Sequence, residues 1–127
     1  MIDPRRLGRS FLHAARGILL VFRTEQSFRL QVFAGIGVLI CAWALRLPRD
    51  EWFALIVAIG AVLALELVNS VFERVIDAFK PRLHPAVRDM KDIMAGVVLV
   101  ASLGALAVGL MLFVPRLISF LAIFGAR

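Results

Sequence analysis

Residues 93–114 read IMAGVVLVASLGALAVGLMLFV, a run without a single charged side chain. At 1.5 Å per residue a helix of this run is about 33 Å long, enough to cross a hydrocarbon core of about 30 Å. Two further runs share the character. Leu30–Leu45 carries no charge, and Trp52–Leu65 is apolar throughout, with a helical pattern that continues past it. Lipid offers no hydrogen bonds to a bare backbone, so such runs cross as helices. The two-residue alternation of a membrane β-barrel is absent from the sequence. The expected fold is therefore an all-α membrane protein. Its spans are expected at about 28–47, 51–79 and 87–114, with Pro115 ending or kinking the last and an apolar tail to 127.

Composition agrees. The chain has 127 residues, of which 61% are hydrophobic and 19% charged, more apolar than a soluble domain of this length. Its net charge of +6 is carried by residues that flank the apolar runs. Arg5, Arg6, Arg9, Arg16, Arg23 and Arg29 precede the first span, and Lys80, Arg82, Arg88 and Lys91 lie between the second and third. That placement points to topology and anionic lipid, and away from nucleic acid. By the positive-inside rule the amino terminus and the second connection of this multi-pass protein are expected to face the cytoplasm. Cys41, the single cysteine, excludes an internal disulfide and reads as a small apolar residue of the first span.

Before the first span, Leu7, Phe11, Ala14, Ile18 and Phe22 recur at helical spacing, with Arg9, His13, Arg16 and Arg23 opposite them. This is the pattern of an amphipathic helix lying on the membrane over about 6–23.

The acids carry the chemistry. Glu66, Asn69, Glu73 and Asp77 project as one stripe on the second spanning helix. An acid within a membrane costs about 2.5 to 3.5 kcal/mol even on a mild scale, so a stripe of them requires a purpose. Counted inward from Trp52 at the outer interface, Glu66 lies about 21 Å deep, and Glu73 and Asp77 fall near the inner boundary. Asp92 opens the third span, and Glu25 closes the surface helix at the same level. Carboxylates supply the hard oxygen ligands of Mg²⁺, Lys91 and its basic neighbours can offset phosphate charge, and a buried carboxylate can accept a proton from an alcohol. The pattern is that of a membrane enzyme at the inner interface. Two other readings use the same residues: a small proton-coupled transporter, which needs an acid nearer the midplane, and a structural subunit whose acids pair with basic residues. No P-loop, protein-kinase motif set or zinc cluster is present in the sequence.

The stretch Glu66-Leu67-Val68-Asn69-Ser70-Val71-Phe72-Glu73-Arg74-Val75-Ile76-Asp77 resembles the E-x-x-N-[ST]-x-x-E-x-x-x-D signature of the prokaryotic diacylglycerol kinase and undecaprenol kinase family. His84-Pro85, Lys91-Asp92-Ile93-Met94-Ala95-Gly96 and Arg23–Arg29 resemble its flanking segments, and the likeness covers about residues 5–113. The resemblance implies a homotrimer with active sites shared between subunits, using ATP and Mg²⁺ to phosphorylate a membrane lipid alcohol. It makes Glu66 the catalytic base and Glu25 and Glu73 the metal ligands. It assigns nucleotide contacts to Arg6, His13, Arg82, Leu83, His84, Lys91 and Asp92, together with Glu25 and Glu73. Ser10, Glu66 and Ala95 would meet the lipid, and Asn69 and Asp77 would support the site. The segment Arg23–Arg29 is closer to the undecaprenol kinase branch than to the diacylglycerol kinases, whereas Arg88-Asp89-Met90 departs from both.

Overall fold

The computed structural model describes residues 3–78 and 85–125, which form four helices. These are α1 (Pro4–Thr24), α2 (Gln26–Ala44), α3 (Arg49–Ala78) and α4 (Pro85–Gly125). The last three are each long and apolar enough to cross a membrane. Most of their apolar side chains are exposed, among them Ile40, Phe53, Val100 and Met111. Lipid is the solvent for such a surface, so exposure there carries no hydrophobic penalty.

α1 begins on a cap that its sequence supplies. Asp3 Oδ1 accepts from the Arg5 backbone N–H at 2.9 Å, and Pro4 occupies the first turn, where its missing N–H costs nothing. The helix ends at Glu25, the single extended residue between α1 and α2 (φ −102°, ψ 119°). Arg29 Nη1 donates to the carbonyls of Phe22 (3.2 Å) and Arg23 (3.0 Å), occupying acceptors that the end of α1 leaves open. Among the described residues of α1 only Val21 is buried. Leu7 (54% exposed), Phe11 (71%) and Ile18 (49%) form an apolar face that no other element covers, as a helix resting on lipid requires.

The turn between α2 and α3 closes on a Schellman arrangement. Leu47 N–H donates to Ala42 O and Arg46 N–H to Trp43 O, both at 3.1 Å, with Arg46 in the left-handed region at φ 52°. Leu47 then folds back onto Ala42 and Leu55 as the small core of the end where α2 meets α3, packed against Trp52, Val108 and Phe113. Further inward, α2 and α3 approach closely at Gly35, where an added Cβ would stand 3.0 Å from Ile59 Cγ2.

α3 and α4 make the principal helix pair of the structure. An ion pair ties them near each end. Lys91 Nζ lies 3.4 Å from Asp77 Oδ1, and Arg116 Nη2 lies 2.7 Å from Glu51 Oε2. Residues 51–77 and 91–116 each advance about 38 Å along a helix, a length that covers a hydrocarbon core and part of its interfaces. Of the two outcomes expected at Pro115, an end or a kink, the first does not occur, and α4 runs on to Gly125. Two side-chain bonds lie beside the proline, and neither reaches Met111 O, the acceptor that an N–H at position 115 would have served. Arg116 Nη1 donates to Leu112 O at 2.6 Å and Ser119 Oγ to Pro115 O at 2.9 Å. Most of the apolar tail is thus helical, and it continues past the Glu51–Arg116 level.

Candidate active site

Two turns of α3 hold the acids. The offset of seven residues between Glu66 and Glu73 returns the side chain to the same face, and that face looks toward the α1–α2 joint. Glu66 is buried (5% exposed) within the span, and Ser70 beside it is also buried. Glu66 lies within electrostatic reach of both Glu73 and Glu25. The structure therefore brings together in one subunit three acids that are 41 and 7 residues apart in the chain. Glu25 reaches them because it is the joint itself: as the one extended residue, it turns out of α1 where α1 meets α3.

The side chain of Gln31 stands close enough to Glu66 to interact with its carboxyl. Its Oε1 is buried without a partner among the described residues. Gln31 also ends an apolar groove of about 360 Å³ that runs between α2 and α4 past Val38, Val62, Leu106 and Phe113. Carboxyl, amide and apolar groove are contiguous.

Glu25 is held by a basic residue. Arg74 Nη2 lies 3.2 Å from Glu25 Oε1 and donates to Thr24 Oγ1 at 2.6 Å. The Thr24 hydroxyl lies 3.0 Å from Leu20 O, where its own hydrogen can go, which leaves its oxygen free to accept from Arg74. Glu73 is half-buried and has no ion-pair partner among the described residues. The donor set suits Mg²⁺, which takes one or two carboxylates and completes its shell with water and phosphate oxygens. A cage of three or more protein ligands is not formed among the described residues, and Mg²⁺ bound with a nucleotide does not need one.

Other expected site residues divide into three groups. Lys91 is paired with Asp77 near the carboxyl-terminal end of α3, and Asp92 and Ala95 are exposed on the early turns of α4. Asn69 is half-buried on the acid-bearing helix. Arg6, Ser10 and His13 are exposed on the far part of α1. His13 is about 18 Å and Arg6 about 28 Å along the helix from Glu25, so the subunit does not bring them to its own acids. Arg82, Leu83 and His84 lie outside the described residues. Sequence reasoning missed Gln31 and Thr24. A trace of Gln31 was visible, since it is the sole amide in the run Leu30–Leu45.

With this arrangement in view, comparison with known proteins is decisive. The model of the prokaryotic diacylglycerol kinase family matches residues 12–113. The chain belongs to that family. It is similar to the undecaprenol kinase of Bacillus subtilis, at 37% identity over 115 residues, which covers 91% of this chain and 94% of the relative. The diacylglycerol kinase of Synechocystis is 34% identical over 113 residues, covering 88% of this chain and 65% of the relative. That of Pseudomonas aeruginosa is 29% identical over 89 residues, covering 70% and 72%. The family match takes in the joint, the acid-bearing part of α3 and α4 up to Phe113, and stops just before the helix passes Pro115.

Proposed function

We propose that this family member transfers the γ-phosphoryl group of ATP to the hydroxyl of a membrane lipid alcohol at the cytoplasmic face of a bacterial inner membrane, with its amino terminus in the cytoplasm. The observation that carries the reading is the convergence of Glu66, Glu73 and Glu25 beside the mouth of an apolar groove. A lipid tail in the groove would place its hydroxyl near Gln31 and Glu66. Glu66 would take the hydroxyl proton as the oxygen attacks the γ-phosphorus and the bond from that phosphorus to the bridging oxygen breaks, releasing ADP, and Gln31 would orient the carboxylate. Glu25 and Glu73 would hold Mg²⁺, which would supply positive charge against the nucleotide phosphates. Lys91 would leave Asp77 for a phosphate oxygen, with Asp92 and the segment Arg82–His84 toward the nucleotide. Ser10 and Ala95 would border the lipid, and Asn69 and Asp77 would support the stripe.

The distance of Arg6 and His13 from their own acids favours a shared site, in which α1 of one subunit serves the next subunit of a homotrimer. Undecaprenol is the favoured alcohol and diacylglycerol the second. The segment Arg23–Arg29 supports this order, as does similarity to an undecaprenol kinase over nearly its full length.

The direct test uses purified protein, labelled ATP and each alcohol in parallel. The expected result is a labelled lipid phosphate, formed faster from undecaprenol. Glu66→Gln should lower kcat by about 10² to 10⁴, the range of a lost general base, with the oligomer intact by light scattering. Near-normal turnover of this variant would remove Glu66 from the role.

A further inference from the structure

At Glu25 the structure places a guanidinium where the proposed function places a divalent cation. Arg74 approaches through one nitrogen, Nη2, which serves both Glu25 Oε1 (3.2 Å) and Thr24 Oγ1 (2.6 Å). This is not the two-pronged grip by which arginine binds a carboxylate most strongly. Nη1 and Nε have no partner among the described residues. The pair is also open to water, with Arg74 42% and Glu25 30% exposed, so its net strength is small. A cation bound at Glu25 would take the oxygen that Arg74 now shares.

The charges around the rim indicate where Arg74 would go. A nucleotide arriving at Glu25, Glu66 and Glu73 brings anionic phosphates to three acids, and repulsion must be offset by cations close by. Arg29 is committed to two carbonyls at the end of α1. Lys91, now paired with Asp77, is one cation already given to a phosphate oxygen in the proposed function, and one alone does not offset three acids and a nucleotide. Arg74 follows Glu73 directly in the chain and carries a planar fork of donors suited to phosphate. We propose that Arg74 is a phosphate-binding residue of the nucleotide site, exchanging Glu25 for the phosphates when a divalent cation takes that carboxylate. The inference rests on the kinase reading. It adds a residue that the family resemblance did not place in the site.

Two binding measurements in detergent, neither of which needs turnover, separate this role from that of a strap between α1 and α3. Mn²⁺ alone is titrated by electron paramagnetic resonance. Trinitrophenyl-ATP is titrated by fluorescence with Mn²⁺ held saturating. Arg74→Ala should bind Mn²⁺ alone several-fold more tightly, because a competitor is gone, and the nucleotide roughly tenfold more weakly, as expected for one lost charge-assisted contact. The KM for ATP should rise more than kcat falls. Arg74→Lys should recover part of the nucleotide affinity. Thr24→Val removes the hydroxyl contact alone and should leave nucleotide affinity unchanged. If Arg74→Ala weakens both ligands together, or moves neither, the exchange is wrong and Arg74 is a strap. Loss of nucleotide affinity in Thr24→Val to the same extent would also overturn it. Absence of lipid phosphorylation by the wild-type chain would instead refute the kinase reading, a separate result.

Discussion

At the scale of single residues, the site is a buried carboxyl with one amide for company. Gln31 is the residue whose removal best isolates that relation. Gln31→Leu keeps the volume and the apolar groove but leaves Glu66 buried without its polar neighbour, a loss worth about 1 to 3 kcal/mol. On the proposed function catalysis should fall roughly tenfold or more, with an unchanged KM for ATP, because Gln31 lines the apolar groove. Steady-state kinetics with ATP and lipid varied in turn checks this. The acid stripe was legible in the sequence because carboxylates at helical spacing stand out against an apolar background. Gln31 was not, because its meaning lies in the register of α2 against α3, which no local pattern carries. The pairing of Arg74 with Thr24 and Glu25 is similar: the sequence offered basic residues as partners for the acids without saying which would meet which.

Elements were legible where lipid dictates them and obscure where their ends are set by hydrogen bonds. The three spans follow from run length alone. The end of α2 at Ala44 was hidden because Arg46 stands where glycine would have announced a left-handed cap. A side chain at φ 52° costs about 1 kcal/mol over glycine. Arg46→Gly should accordingly leave the turn in place and raise stability by up to about 1 kcal/mol, read as a shift in thermal unfolding monitored by circular dichroism. At Pro115 the helix continues, at the cost of one i→i−4 bond to Met111 O. The sequence showed the proline, but not which of the two outcomes, an end or a kinked continuation, the apolar residues after it would favour.

For the whole molecule, one subunit is a two-ended clamp of α3 on α4, with α1 held only at its carboxyl-terminal end. Glu66 and Glu73 belong to the clamp, Glu25 to the joint, and Arg6 and His13 to the outlying part of α1. If α1 serves a neighbouring subunit, two inactive variants should rescue each other. Mixing Glu66→Gln chains with Arg6→Ala chains before assembly should restore about one quarter of wild-type activity, the chance that an intact acid set meets an intact helix in a closed ring. Mixing after assembly should restore little. Glu25, finally, is both the hinge of the surface helix and a proposed ligand. A host bilayer thicker or thinner than the clamp would tilt that helix like a lever and drag the carboxylate out of register. Turnover in nanodiscs of graded acyl-chain length should peak at one thickness, and two glycines inserted after Thr24 should flatten the peak by uncoupling lever from ligand.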